Sequence, residues 1–351
     1  FYDAAVTKIP VADGGEGTID AICAATQCEI ISEMVTGPLG DTIWASYAIL
    51  PDKTAVIEMA AASGLLLVEE GKQNPLLTTT YGTGELIVSA LNRGCRKIIM
   101  GLGGSATNDG GLGMAQALGY RFTDASGGEL GFGGGELDRL RTIDPSHRDP
   151  RVGGCEFIVA SDVKNPLCGE TGASVVYAPQ KGASPETVRI LDDNLRHFAG
   201  IIQKTLQIDI ENEPGAGAAG GLGGGLIAFC GAKVQRGIDI ILDLMAFDEK
   251  LPCADLVITG EGRMDHQTAF GKVPVGIAAR AKRLQKPVIA FTGEIGEGAG
   301  ELYGYGIDTI VSIVDKPMPL EEAMHNAESL LKDAVVRMMR LICVSMELRR
   351  S

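Results

Sequence analysis

Four stretches of the chain set glycine beside acidic or amide residues: Asp13-Gly14-Gly15-Glu16-Gly17, residues 101–111 (GLGGSATNDGG), residues 214–225 (PGAGAAGGLGGG) and residues 260–265 (GEGRMD). Glycine lets a backbone approach an anion closely and aim N–H groups at it. Carboxylates beside such loops can hold Mg²⁺ or take a proton. Phosphoryl transfer needs this combination, because it depends on positioning and charge neutralisation more than on covalent intermediates.

GEGRMD offers the richest chemistry of the four. Ligands of open parallel sheets bind beyond the carboxyl ends of strands, and this stretch follows a strand expected at 255–259, with Lys272 a turn or two later. Arg263 or Lys272 can grip a carboxylate or phosphate, while Glu261 and Asp265 can bind metal or accept a proton. The alternative is a surface loop with a structural ion pair. Asp162 ends a strand expected at 157–161, which suits a metal ligand or a base, or else a plain turn. Which carboxylate would be base and which would bind metal stays open between Asp162 and Asp265.

In the 101–111 stretch, Gly103, Gly104, Ser105 and Thr107 are placed to contact phosphates and Asn108 a substrate. Gly215, Gly217 and Gly220 can cradle a phosphate at a helix N-terminus, or they can serve close helix packing. Asp13 and Glu16 are either substrate ligands or the N-cap and first-turn acid of a helix from residue 18. Gly101-x-Gly103-x-x-Ala106 also fits the dinucleotide fingerprint, with Asp124 near the offset of a ribose-binding acid. An NAD(P)-linked enzyme of small hydroxy acids is therefore one alternative, and a non-catalytic binding or regulatory module another. No Walker A motif is present, since Val273 follows Gly271-Lys272 and His266 stands where the first glycine would be; the protein-kinase HRD and DFG sets are absent too.

Composition narrows the classes. A net charge of −14 argues against nucleic acid and anionic membranes as partners, and means that an anionic substrate must be met by local donors. No run of 18 apolar residues suggests a membrane span, and the first residues lack the features of a signal peptide, so a cytoplasmic location is expected. The chain does not begin with Met, and the natural start is expected further upstream. The eight cysteines form no CxxC, which predicts buried free thiols in a reducing compartment. The four histidines form no zinc-binding pair.

The elements that must position these residues alternate between strand-like and helix-like runs, the signature of an α/β protein. Helices are expected at 83–92, about 109–118, from Ser184-Pro185 onward, at 274–284, and from about 319 toward 347. Strands are expected at 97–100, 255–259, 287–292 and 308–314. Residues 127–135 (GGELGFGGG) read as a flexible hairpin or lid. At 351 residues two domains are natural. The expected division is a Rossmann- or flavodoxin-like parallel-sheet domain from residues 1–45 plus 256–351, and an inserted mixed α/β domain at 46–255.

Taken in order, PVADGGEGT (10–18), VTGPLGD (35–41), IEMAAASGL (57–65), TTTYGTGELI (78–87), GLGGSATNDGG (101–111), SDVKNPLCG (161–169), PQKGAS (179–184), PGAGAAGGLG (214–223) and TGEGRMDHQT with GKVP (259–274) resemble the bacterial glycerate kinases of the type I family. The resemblance covers nearly the whole chain. It implies ATP-dependent phosphorylation of D-glycerate with Mg²⁺, usually at the 2-hydroxyl to give 2-phosphoglycerate, with 3-phosphoglycerate as the other product, in glycerate, glyoxylate or sugar-acid catabolism. It implies two α/β domains with the active site between them, and the reading admits a homodimer. Members of the family begin roughly thirty residues earlier, with a strand, an APDSFKGS-like loop and a helix, so either that segment precedes Phe1 or the sheet is incomplete.

Overall fold

The computed structural model describes residues 4–11, 18–270 and 272–348; Asp13 and Glu16 lie outside them. The protein is mixed α/β, as expected, and divides into two compact units, residues 1–241 and 242–351.

The first unit is built on a six-stranded sheet in the order β1 (Glu29–Thr36), β2 (Thr42–Ile49), β3 (Thr54–Glu58), β4 (Lys97–Gly101), β7 (Glu156–Ala160) and β8 (Lys233–Gln235). Strands β3, β4, β7 and β8 run parallel. Parallel strands are covered on both faces and read as continuous apolar runs; Ala55, Val56 and Ile57 of β3 and Phe157, Ile158 and Val159 of β7 are all buried. The helix Tyr81–Asn92 buries Leu86, Ile87, Ala90 and Leu91 against this sheet's core. The helix Pro185–Leu206 starts where Ser184 Oγ accepts a hydrogen bond from Thr187 N at 3.1 Å. It buries Leu191, Leu195, Phe198 and Ile202, the helical spacing visible in the sequence. A small hairpin of β5 (Arg121–Thr123) and β6 (Thr142–Asp144) completes the unit's strands among the described residues.

The second unit holds a parallel three-stranded sheet, ordered β11 (Thr309–Ser312), β10 (Val288–Ile295), β9 (Val257–Met264). Ile289 and Phe291 pack with Ala334 and Met338 of the helix Ala327–Leu348. No helix among the described residues is long and apolar enough to cross a membrane.

The structure departs from the sequence-based expectations in several places. Residues 29–49, largely assigned to the domain of both chain ends, form the antiparallel hairpin β1–β2, which pairs with β3 in the six-stranded sheet. Its alternation explains this: Ile31, Val35, Ala45 and Tyr47 are buried, while Ile30, Met34 and Trp44 face outward. The helix expected at 109–118 is shorter, Leu112–Ala117, because Asp109 to Gly111 are taken up by a turn. The long C-terminal helix is interrupted at Asn326, whose side chain donates to Glu322 O at 2.9 Å and competes with continued helical bonding. The 127–135 stretch is tethered: Asp124 accepts from Ser126 N and Gly128 N, and Gly135 N donates to Leu76 O at 3.0 Å. Cys23 and Cys28 are joined in a disulfide, against the expectation of free thiols throughout; Cys95, Cys168 and Cys230 are free and buried.

One contact ties the glycine-rich turn 214–221 to the site-forming loop. Gly220 takes φ +66°, and its O accepts from Gly110 N at 3.1 Å. A Cβ there would collide with Thr107 O. Gly220→Ala combines a left-handed backbone with overpacking and should cost about 3 kcal/mol. A fall in the denaturant midpoint at unchanged slope would be the expected readout; a midpoint equal to that of the wild type would mean that the loop yields at this point.

Candidate active site

Strands β4 and β7 end side by side, with Gly101 paired to Ala160. The loops that follow therefore diverge from one place. A cavity of about 390 Å³ opens there, lined by Gly103, Gly104, Ser105, Asp162, Tyr177 and Lys181 among others. This is the strand-end location at which open parallel sheets take ligands.

Two buried charges shape the 101–111 loop from behind. Asp109 is fully buried and accepts from Thr80 N at 2.9 Å, Thr80 Oγ1 at 2.8 Å, Gly111 N at 3.0 Å and Gly113 N at 3.2 Å. Burial pushes its carboxyl above the ordinary value, and these four donors act in the opposite direction. Lys181, 1% exposed, donates from Nζ to Ser105 Oγ at 2.6 Å and to Thr107 O at 2.7 Å. Burial brings its ammonium down to about 7, and the charge of Asp109 partly restores it. Asp162 Oδ1 is buried, with Arg236 Nε at 4.0 Å.

The expected phosphate and substrate residues separate into two groups. Gly103, Gly104 and Ser105 line the cavity with Asp162. Thr107 and Asn108 are fully buried and lie outside that lining. Asn108 Nδ2 donates to Ser174 Oγ at 3.0 Å, whereas Asn108 Oδ1 and Thr107 Oγ1 have no partner among the described residues. Gly215, Gly217 and Gly220 are absent from the lining, where Ala218 and Ala219 stand in their place. Gly217 faces Pro166 O and Gly220 faces Thr107, so both serve close backbone packing here. The dinucleotide fingerprint loses its context. No helix opens directly after Gly103, and Asp124 is committed to Ser126, Gly128 and Arg139.

In the second unit, GEGRMD does not follow a strand as expected. It lies largely within β9, where Gly260, Glu261, Arg263 and Met264 pair with Phe291, Thr292, Glu294 and Ile295. The strand extends further than its apolar start because β10 offers a partner along its whole length. Lys272 Nζ sits 2.8 Å from Glu261 Oε1, and Thr268 Oγ1 donates to Glu261 Oε2 at 3.3 Å. Arg263 Nε is 3.2 Å from Asp265 Oδ2, and Asp265 Oδ1 accepts from Gln267 N at 2.9 Å. Each expected cation here already faces an expected acid.

Lys181 and Asp109 were not among the expected site residues. Asp109 stands within SATND, beside Ser105, Thr107 and Asn108. Lys181 stands alone in PQKGAS, a stretch noted only for its family resemblance, and no local pattern announces that a lysine there is buried.

The Glycerate kinase family matches residues 1–343 of this chain. A relative named glycerate kinase from Halalkalibacterium halodurans is 53% identical over 327 residues, covering 93% of this chain and 86% of its own length. A glycerate 2-kinase from Escherichia coli is 51% identical over 328 residues, with the same two coverages. A solved structure from Salmonella typhimurium, described as a glycerate kinase 2, superposes with a TM-score of 0.86 at 46% identity, covering 99% of this chain and 91% of that one. With this extent of matching, and a strand-end cavity built from the motifs that carried the resemblance, the chain belongs to the glycerate kinase family.

Proposed function

We propose that this chain transfers the γ-phosphoryl group of ATP to the 2-hydroxyl of D-glycerate, giving ADP and 2-phosphoglycerate. The observation that carries this reading is the cavity where β4 and β7 end, in which a glycine-rich loop, Ser105 and the half-buried carboxylate of Asp162 converge. The glycerate 2-kinase name of the Escherichia coli relative favours the 2-hydroxyl over the 3-hydroxyl. We place the activity in the cytoplasm, where ATP is supplied.

The contacts support the following roles. Backbone N–H groups near Gly103 and Gly104, with the Ser105 hydroxyl, receive phosphate oxygens. Magnesium fits Asp162, whose buried Oδ1 stands at the cavity. No cluster of three or more acidic, Cys or His ligands exists among the described residues, which suits an ion held mainly by phosphate oxygens and water. When bound, it neutralises charge on the phosphates. Arg263 or Lys272 holds the glycerate carboxylate. Asp265, oriented by Gln267 N, positions the attacking hydroxyl and accepts its proton. Glu261, engaged by Lys272, serves to hold that lysine rather than a metal. Asp13 and Glu16 remain substrate-contact candidates within ADGGEG. The three-stranded sheet of the second unit is read as the Rossmann-like domain that the resemblance implies.

Two measurements test this. ATP with Mg²⁺ and D-glycerate should release ADP, with phosphorus NMR identifying 2-phosphoglycerate; no ADP above background would end the kinase reading, and 3-phosphoglycerate would overturn the choice of hydroxyl. ATP with Mg²⁺ should also raise the melting temperature while NADH leaves it unchanged, and the reverse would restore the dinucleotide alternative. Alanine at Asp162, Asp265 or Lys272 should each lower kcat/KM at least ~100-fold. A variant that turns over at a near-normal rate removes its residue from the mechanism.

A further inference from the structure

Lys181 plays no part in the roles just assigned, yet its placement is specific. It reaches across 76 residues of sequence to Ser105 Oγ and also holds Thr107 O. Ser105 and Lys181 line the same cavity, together with Asp162 and Tyr177. Asp109 is the acid whose charge acts on Lys181, and its carboxylate oxygens are bonded to Thr80, Gly111 and Gly113 instead.

An ammonium group can only donate hydrogen bonds. Ser105 Oγ must therefore be the acceptor in its bond with Lys181, and the serine hydroxyl hydrogen is left to point elsewhere. Among the described residues nothing accepts that hydrogen. Ser105 sits at the cavity wall, so the direction available to it is the cavity. A hydroxyl oxygen accepting from a cation is also a stronger donor, because chains of hydrogen bonds polarise one another. The second bond, to Thr107 O, fixes the other end of the same short loop, so the hydroxyl is held in place as well as in sense.

We infer that Lys181 is a positioning residue: it makes the Ser105 hydroxyl a fixed hydrogen-bond donor facing the cavity, there to receive a phosphate oxygen of the nucleotide. The assignment rests on the kinase reading for its ligand. It adds a residue acting through another, and a reason why a lone buried lysine stands in this chain. Burial holds Lys181 near 7, so its proton is present below that pH and is lost above it. The donor sense of Ser105 is enforced only while that proton is present.

The test is a double-mutant cycle with Ser105→Ala, Lys181→Met and the two combined, read as ATP affinity by calorimetry and as steady-state KM and kcat. Ser105→Ala should raise the KM for ATP about tenfold, with a smaller change in kcat and in the KM for D-glycerate. Lys181→Met should do at least as much, and the double variant should stay within threefold of Lys181→Met alone. The gap between wild type and Ser105→Ala in kcat/KM for ATP should shrink as pH rises from 7 to 9. Additive effects in the double variant would overturn the inference, and so would a larger change for D-glycerate than for ATP. Should Lys181→Met fail to fold, Ser105→Ala decides alone: a folded variant with unchanged ATP affinity defeats the inference. Wild type that binds ATP, loses that affinity on Ser105→Ala and yet leaves glycerate unphosphorylated would defeat the glycerate reading, and leave Lys181 and Ser105 in their assigned places.

Discussion

The loop from Gly101 to Gly111 is held by two buried groups, Asp109, which accepts from Gly111 N and from Gly113 N of the following helix, and Lys181, which donates to Ser105 Oγ and Thr107 O. Buried charge is costly unless its donors and acceptors are met. Here almost all of that satisfaction comes from the loop itself and from Thr80, so the loop's conformation and the burial of the charges depend on each other. Gly220 closes the arrangement by packing its bare α-carbon on Thr107 and accepting from Gly110 N. The cavity wall is thus braced by hydrogen bonds from both Lys181 and Asp109.

The fold was legible wherever one periodicity dominated. The helix Pro185–Leu206 showed a cap, a proline and apolar residues at three- and four-residue steps, and the structure has all three. Strands β4 and β7 read correctly because buried parallel strands are simply apolar. The β1–β2 hairpin was missed although its alternation is regular. Its outward face carries Ile30, Met34 and Trp44, which blurs the contrast between the two sides. A division of the chain that ignored this hairpin placed residues 29–45 with the wrong sheet.

The candidate site was legible in part. Asp162 could be placed because a strand end is visible in sequence, and Gly103 to Ser105 because they follow one. Lys181 was invisible for the opposite reason: burial and partners 74 and 76 residues away are tertiary facts, and a single lysine carries no period. The glycines at 217 and 220 show a different ambiguity. Glycine is used both where a ligand approaches and where another backbone does, and composition cannot tell these apart. In the structure the neighbours are Pro166 O and Thr107 O, both protein backbone.

The two units pair their cations differently. The chain carries a net charge of −14, so an anionic ligand is repelled on average and must find local compensation. In the second unit Lys272 and Arg263 each stand against a carboxylate, Glu261 and Asp265, and their fields are largely cancelled before any ligand arrives. Lys181 differs, because both of its hydrogen-bond acceptors are neutral. Its nearest acid partner acts only through space, and low-dielectric surroundings screen its charge poorly. The charge of the protonated lysine therefore reaches Ser105 through a neutral acceptor and is opposed by the buried Asp109, whereas the cations of the second unit meet their acids directly.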